Sequence, residues 1–230
     1  MSEYRGWSFD GENLIISSGT VNTYSLSVDN AGNIFMSYLV DTDCDPFETG
    51  IGRIYVVNGG IVEYDTGYEV NWSEPILIEE FNEMDLSCQP EIAFINNSVG
   101  CIVYAYKSNE SREIILIPTI AGISGFNATN KLIVKATNNT ISYVSVVATN
   151  DSILIFWIEN YSRICEAIVK PTVTENWIIN NTSIIFENIS IVSLKPVFFN
   201  NKHYLLFQMR EGYIPFILEE ISGGDMEQHT

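Results

Sequence analysis

The residues with the clearest chemical potential form one short acidic segment. Asp41, Asp43 and Asp45 occupy every second position at the start of the sequence D-T-D-C-D-P-F-E, and Glu48 is its last residue. Clustered carboxylate oxygens are the ligands that Ca²⁺ prefers in proteins. In a chain with 29 acidic residues, a solvated acidic turn is the alternative interpretation. The sequence therefore makes no cofactor certain and offers Ca²⁺ as the candidate.

Four of the five arginines recur at one position of a repeated pattern, where a strand begins: Arg53, Arg112, Arg163 and Arg210. A guanidinium fork matches a carboxylate bidentately, so such residues can hold an acidic substrate. These four occupy equivalent positions of separate repeats and do not converge. Surface ion pairs are thus favoured, with four candidate partners: Glu110, Glu113, Glu159 and Glu211.

Signatures of catalysis are sparse. The two histidines, His203 and His229, belong to no zinc-protease motif, and no nucleophile elbow is present. A glycoside hydrolase needs only two carboxyl groups across the scissile bond, and Asp29, Asp85 and Glu91 lie in predicted inner strands or loops. Such trios arise easily in an acidic chain. No residue is therefore assigned a catalytic role, and the sequence favours a protein that is not an enzyme.

The four cysteines divide into two kinds by position. Cys44 lies in a predicted turn of the first repeat, and Cys88 lies in a predicted connection at the same end of the strands. In an oxidising compartment these two can form a disulfide. Cys101 and Cys165 fall within apolar strands, where a buried free thiol is the usual state. The sequence predicts one disulfide, Cys44–Cys88, and two buried thiols.

Ten N-x-S/T sequons occur, many more than chance predicts for this composition: Asn71, Asn96, Asn109, Asn127, Asn138, Asn150, Asn160, Asn180, Asn181 and Asn188. Such an excess indicates a glycosylated surface and an extracellular or virion location. Crowding of Asn, Ser and Thr into turns is the alternative. Residues 1–70 and 191–230 contain no sequon.

Charge and hydropathy exclude several classes of partner. The chain has 11 basic and 29 acidic residues, a net charge of −18, which repels nucleic acid and anionic lipid. No apolar run is long enough to insert into a membrane, and residues 1–13 lack the features of a signal peptide. Export would then depend on a removed signal, a larger precursor or release within a virion.

A fourfold internal repeat determines the predicted fold. Each repeat has an aromatic anchor, a short apolar strand and three further alternating strands, and the anchors are Trp7, Trp72, Phe126 and Trp177. Repeats of this length are typical of propeller blades. The sequence predicts an all-β fold, a small β-propeller with four blades of four antiparallel strands. Five blades or a β-sandwich are the alternatives.

The phase of the repeat predicts how the propeller closes. The chain begins with an outer strand and ends with three inner strands, so residues 12–18 complete the last blade. One domain then spans residues 1–230, with blades at about 19–81, 89–137, 142–189, and 194–221 plus 12–18. Closure also joins the two stretches without sequons into one glycan-free sector.

Part of the repeat resembles sialidase-like propellers of the BNR type. The likeness rests on SVDNAGNIFMSY at 27–38, GRIYVVNGG at 52–60, and NWSEPILIEE at 71–80 followed by QPEIAF. The family's Asp-box is incomplete, because Asn58, Gly59 and Gly60 occupy its place and Trp72 follows too late. The resemblance implies a propeller, and a sialidase-like glycoside hydrolase acting on surface glycans as an alternative function.

The favoured function is a non-catalytic, glycosylated structural or host-attachment module of a virion or cell surface. We expect it to dock onto a protein partner through the glycan-free sector, where no sugar obstructs close packing. Carbohydrate binding is a further expectation, with Trp72, Tyr161 and Trp177 as stacking surfaces.

Overall fold

A computed structural model of the chain describes residues 20–29, 31–41, 50–64, 67–82, 86–108, 111–173, 177–188, 190–199, 202–209, 212–220 and 226–229. These residues form seventeen β-strands and two short 3-10 turns. The chain is rich in Ile, Val, Tyr and Phe, whose side chains suit a pleated and half-buried surface. The prediction of an all-β protein is confirmed.

The strands form four antiparallel sheets, each built from one contiguous part of the chain. The first sheet contains β1 (Thr20–Val28), β2 (Ile34–Asp41), β3 (Ile51–Tyr64), β4 (Gly67–Trp72) and β5 (Ile76–Asn82). The second contains β6 (Leu86–Phe94), β7 (Gly100–Lys107), β8 (Arg112–Thr119) and β9 (Leu132–Thr137).

The third sheet contains β10 (Ile141–Ala148), β11 (Ile153–Glu159), β12 (Arg163–Lys170) and β13 (Ile178–Glu187). The fourth contains β14 (Ile191–Phe199), β15 (Lys202–Met209), β16 (Gly212–Glu220) and β17 (Met226–His229). In the second to fourth sheets, each strand pairs with the next strand along the chain.

Apolar side chains on alternate positions join neighbouring sheets. Strand β11 is buried on both faces: Ile155 and Trp157 belong to a cluster shared with the second sheet, and Phe156 and Ile158 to one shared with the fourth. A third cluster joins the first and second sheets and includes Ile54. Burial on both faces explains why β11 has an almost continuous apolar sequence.

The first strands of the four sheets meet at the centre of the described structure. Strand β1 packs against β6, β6 against β10, and β10 against β14. All four strands contribute side chains to one cavity. The sheets therefore stand side by side in chain order around that cavity.

The last sheet differs from its predicted composition. Strand β17 pairs with β16, in the position predicted for residues 12–18. Residues 12–18 and the anchor Trp7 lie outside the described residues, so closure by the N-terminal strand stays a prediction. The polar sequence M-E-Q-H gave no strand signal, but short polar strands are common at sheet edges.

The first sheet has an extension that the sequence analysis did not predict. Strands β4 and β5 both pair with β3, one after the other, along the same side of that long strand. Pairing with β2 ends at Gly59, whereas β3 and β4 continue as a two-stranded ribbon to Tyr64 and Gly67. This ribbon, residues 60–64 and 67–71, projects beyond the sheet.

Candidate functional site

A central cavity of about 270 Å³ is lined by the first strand of each sheet, namely β1, β6, β10 and β14. Its lining is mixed, with apolar, hydroxyl, carboxylate and ammonium groups. The residues concerned are Leu26, Ser27 and Val28 of β1, Glu91–Phe94 of β6 with Ile95, Val146–Ala148 of β10 with Thr149, and Lys195, Pro196 and Phe198 of β14.

Glu91 is the most buried charged group of this cavity, with 2% of its surface exposed. Its Oε2 accepts hydrogen bonds from Ser25 Oγ at 3.1 Å and Lys195 Nζ at 3.2 Å, and its Oε1 accepts from Gln89 Nε2 at 3.2 Å. A buried carboxylate is tolerated only when paired and hydrogen-bonded, and these three donors meet that need.

Lys195 connects this buried carboxylate with solvent. Its side chain is 56% exposed, while Glu91 below it is almost fully enclosed. The cavity thus presents an ammonium group to an entering molecule and a hydrogen-bonded carboxylate behind it. Such an arrangement can bind hydroxyl-bearing or anionic ligands.

The other two carboxylates considered from sequence do not join Glu91. Asp29 Oδ1 accepts hydrogen bonds from the backbone N–H groups of Ala31 and Asn33, and Oδ2 accepts from Asn33 Nδ2, so Asp29 organises the β1–β2 turn. Asp85 lies outside the described residues. Among the described residues that line the cavity, Glu91 is the one carboxylate.

A second candidate site is the outward face of β1. Ser25 Oγ accepts from the backbone N–H of Ile92, and Ser27 Oγ accepts from that of Phe94, so these serines tie β1 to β6. Side chains alternate along a strand. The opposite face of β1 therefore carries Tyr24, Leu26 and Val28, each 51–61% exposed.

Strand β14 has a comparable outward face. Leu194 and Pro196 are buried on the side that packs toward the third sheet, while Val197 and Phe199 are 39% and 61% exposed. We call Tyr24, Leu26 and Val28 of β1, with Val197 and Phe199 of β14, the terminal apolar faces.

The two strands that carry the terminal apolar faces, β1 and β14, come together at Glu91. Ser25 of β1 and Lys195 of β14 both donate to its Oε2 atom, which brings the two strands close at that point. The side chains of both faces are exposed, and Leu26 and Val28 also border the central cavity. Contiguous exposed apolar surface in a folded protein commonly marks an interaction site.

The repeat arginines lie in strand pairs whose partners differ from those suggested by the sequence. Arg53 Nε lies 2.8 Å from Glu80 Oε1, and Arg163 Nε lies 3.2 Å from Glu187 Oε1. Each carboxylate lies directly opposite its arginine on the neighbouring outer strand. Arg112 has Thr137 at the equivalent position.

Sequence reasoning missed these partners because it compared residues near in the chain, such as Glu113 and Glu159. Glu159 instead accepts hydrogen bonds from Trp157 Nε1 and Asn139 Nδ2. Arg210, Glu110 and Glu211 lie outside the described residues. The arginines with described contacts do not meet in a common substrate site.

Eight of the sequon asparagines have described side chains, and all eight are exposed: Asn71, Asn96, Asn127, Asn138, Asn150, Asn160, Asn180 and Asn188. Asn109 and the side chain of Asn181 lie outside the described part. Asn96, Asn127 and Asn160 also use Oδ1 to accept backbone N–H groups in turns. Exposure satisfies the first requirement for glycosylation, which itself stays a prediction.

The cysteine predictions have different outcomes. Cys101 and Cys165 are free and buried, as predicted, and burial raises the pKa of the Cys165 thiol to about 12. Cys44 and the side chain of Cys88 lie outside the described residues, so the disulfide stays a prediction. The backbone of Cys88 lies within β6, opposite Ala105, and not in the predicted connection.

Metal binding by the acidic segment also stays a prediction. Asp43, Asp45 and Glu48 lie outside the described residues, as does the side chain of Asp41. Elsewhere in the described part of the chain, no group of three or more His, Cys, Asp or Glu side chains stands close enough to hold a metal ion. No helix among the described residues is long and apolar enough to cross a membrane.

The aromatic residues considered for sugar stacking occupy three different environments. Trp177 is buried in the cluster between the second and third sheets. Trp72 is half-buried against Tyr38 and Val57 on the outward side of the first sheet. Tyr161 is 58% exposed in the β11–β12 turn. They do not form one stacking surface.

Lys195 is the one charged residue of the described cavity lining that the sequence did not indicate. It is the only charged side chain in L-K-P-V-F-F-N, an otherwise apolar strand. A lone lysine in such a strand is the signal that could have identified it. Its partner Glu91 is 104 residues away, which no local pattern connects.

No known family model and no curated protein matches this sequence. Among solved structures, an α-L-arabinofuranosidase from Podospora anserina in complex with cellotriose has 9% identity and a TM-score of 0.48, over 97% of this chain and 70% of that chain. A mutant Aleuria aurantia lectin in complex with Fucα1-6GlcNAc has 9% identity and a TM-score of 0.37, over 93% and 96%. Both TM-scores lie below 0.5, so neither likeness extends to the function of this chain.

Proposed function

We propose that this chain is a non-catalytic, glycosylated docking module of a virion or cell surface, built as a small four-bladed β-propeller. Its terminal apolar faces bind a protein partner of the assembly. The observation that carries this proposal is the exposure of Tyr24, Leu26 and Val28 on one terminal sheet and of Val197 and Phe199 on the other.

The distribution of sequons supports the same surface. All ten sequons lie between residues 71 and 188, whereas β1, β2 and the whole fourth sheet lie in stretches without one. A glycan beside Leu26 or Phe199 would obstruct a partner, because each sugar occupies the volume that the partner needs. Surface that is both apolar and free of sequons favours docking.

Hydrolysis of glycans receives less support. Either stereochemical route needs two carboxyl groups across the bond, and the described lining of the cavity provides Glu91 alone. That carboxylate already accepts hydrogen bonds from Lys195, Ser25 and Gln89. Its contacts suit a fixed binding group better than an acid or base that must exchange protons.

A matched pair of charge substitutions tests the docking proposal. Leu26→Asp places a carboxylate on the terminal apolar faces, and Ile133→Asp places one at an equally exposed apolar position of β9, outside them. We expect Leu26→Asp to lower recovery of the chain with its native assembly at least tenfold in density-gradient sedimentation. Ile133→Asp should leave recovery unchanged, and equal recovery of both variants would refute the proposal.

Carbohydrate binding in the central cavity is a second candidate function. Its volume of about 270 Å³ suits one sugar ring, and Lys195, Thr149 and Glu91 provide polar groups beside Phe198. A glycan array with the wild-type chain and with Lys195→Met tests this. Binding that Lys195→Met abolishes supports the cavity, and an array without binding contradicts it.

A further inference from the structure

The β3–β4 ribbon has two chemically different faces. Residues opposite each other in an antiparallel pair point to the same side, so Ile61 with Val70, Glu63 with Tyr68, and Gly59 with Trp72 share one face. The other face carries Val62 with Glu69, Gly60 with Asn71, and Tyr64 with Gly67. Each face carries one glutamate, Glu63 on the first and Glu69 on the second. Along β4 itself, Tyr68, Val70 and Trp72 lie on the first face, and Glu69 and the Asn71 sequon lie on the second.

The apolar face of the ribbon continues the outward face of the first sheet. Trp72 packs against the cluster of Tyr38, Val57 and their neighbours. Gly59 allows the side chains of Val70 and Trp72 to lie close to β3, since a Cβ at position 59 would lie 2.5 Å from Val70 Cγ1 and 3.0 Å from the Trp72 ring. The ribbon therefore extends the side of the sheet that also carries Leu26.

The ribbon exposes two large side chains, one aliphatic and one aromatic. Ile61 is 58% exposed and Tyr68 is 73% exposed. Among the described residues, 60–64 and 67–71 pair only with each other, which leaves both outer edges of this two-stranded unit open to solvent there. Two-stranded hairpins are marginally stable in water, and open strand edges pair readily with another strand.

Charge indicates what kind of strand the ribbon accepts. Residues 59–72 include Glu63, Asp65 and Glu69 and no Lys, Arg or His. A strand added along β4 would place alternate side chains beside Val70 and Tyr68 on one face and beside Glu69 on the other. Apolar residues suit the first position and basic residues the second. A second copy suits it poorly, because the chain carries a net charge of −18.

We propose that the open edge of β4 binds an extended segment of a partner protein in which apolar and basic residues alternate. The partner's strand extends the ribbon beside residues 67–70, short of the Asn71 sequon, with its apolar side chains on the Ile61 face and its basic side chains beside Glu69. This inference rests on the proposed docking function and names a second contact of the same partner.

Fluorescence anisotropy at 0.15 M salt tests the inference with three labelled nine-residue peptides. One alternates Val and Lys, one alternates Val and Glu, and one has the composition of the first in two separate blocks. We expect the wild-type chain to bind the alternating Val–Lys peptide at least tenfold more tightly than either of the others. Failure to bind it, or equal binding of the block peptide, would overturn the inference.

Two pairs of variants locate the peptide on the ribbon. Glu69→Lys should weaken binding of the Val–Lys peptide at least tenfold, and Glu74→Lys, an equal charge change at an exposed site after the ribbon, should not. Ile61→Asp should weaken binding, and Tyr64→Asp, similarly exposed on the other face, should not. Equal losses within either pair would show nonspecific attraction and contradict the inference.

The outcomes separate this inference from the docking proposal. Circular dichroism first establishes that all variants are folded. If Glu69→Lys and Ile61→Asp leave peptide binding intact while Leu26→Asp still disrupts the assembly, the docking function stands and the ribbon contact fails. If sedimentation shows a wild-type dimer that Ile61→Asp dissociates, the occupant is a second copy and the inference fails.

Discussion

Lys195 Nζ on β14 and Glu91 Oε2 on β6 lie 3.2 Å apart, although they belong to the fourth and the second sheet. The same oxygen accepts the hydroxyl of Ser25, which belongs to the first sheet. One buried carboxylate therefore connects three of the four sheets at the centre of the described structure. Its partners are unequal, since Lys195 is mostly exposed and Glu91 is enclosed.

Removal of either member of the Glu91–Lys195 pair should destabilise the fold. Glu91→Gln weakens three hydrogen bonds to a buried charged acceptor, and we expect the free energy of unfolding to fall by about 1–3 kcal/mol. Lys195→Met should cost at least as much, because it leaves the enclosed Glu91 carboxylate with only the neutral donors Ser25 and Gln89. Urea denaturation measures both.

The exposed Glu80 supplies the control for that comparison. Glu80→Gln removes a solvent-screened ion pair with Arg53 at the surface and should destabilise the fold less than Glu91→Gln does. If Glu91→Gln is no more destabilising than Glu80→Gln, then Glu91 does not hold the sheets together.

The fold should lose stability at alkaline pH. Burial, with a smaller contribution from the charge of Tyr55, raises the pKa of Tyr38 to about 12, from about 10 in an unfolded chain. The unfolded state then loses its proton first, so stability is complete below pH 10 and declines as the pH rises toward 12.

Tyr38→Phe removes this titrating group. We expect the loss of unfolding free energy between pH 10 and pH 11 to be smaller in Tyr38→Phe than in the wild type, by at most about 1.4 kcal/mol. Urea denaturation at pH 8, 10 and 11 provides the comparison. An identical alkaline decline in the two proteins would mean that Tyr38 ionises equally easily in both states.

Thiol counting separates the four cysteines. Burial raises the pKa of both Cys101 and Cys165, so at pH 8 neither should react with iodoacetamide in the native chain. Unfolding without a reductant should expose two thiols if Cys44 and Cys88 form the predicted disulfide. Mass spectrometry gives the count, and four reactive thiols in protein from an oxidising compartment would eliminate that disulfide.

A glycan introduced into the terminal apolar faces should prevent docking. Leu26→Asn combined with Val28→Thr creates a sequon at position 26 of β1, within a stretch that has none. In a secretory host, we expect the glycosylated variant to fold but not to enter the assembly. The same variant treated with a glycosidase, and a variant with Asn150→Gln, are the controls. Assembly of the glycosylated variant would show that this face is free.

The alternation of apolar residues was sufficient to predict most of the strands. PILIEEF at 75–81 corresponds to β5, and SYVSVVAT at 142–149 corresponds to β10, each within one residue at either end. Apolar residues at alternate positions are the signal of a half-buried strand, and a continuous apolar run is the signal of a strand buried on both faces. The strand β17 is short and polar, and its pairing with β16 follows from position in the fold.

Relationships between distant residues were beyond sequence reasoning. The pair Glu91–Lys195 spans 104 residues, and Arg53–Glu80 depends on the register between β3 and β5. Register follows from turns and bulges, such as the irregularity between Ile54 and Tyr55, that one sequence does not reveal. The ribbon was missed because its apolar residues are exposed, and the period of two does not distinguish exposed from buried strands.

The contiguity of each sheet has a mechanical consequence. Among the described strands, no hydrogen-bonded pairing joins the beginning of the chain to its end, because each sheet is complete within one segment. Within the part of the chain that the structure describes, β17 pairs with β16 alone, so a force that pulls on β17 breaks this short ladder before the rest of the fourth sheet. Each sheet can then yield in turn, so tension would unravel the chain in steps from its C-terminal end.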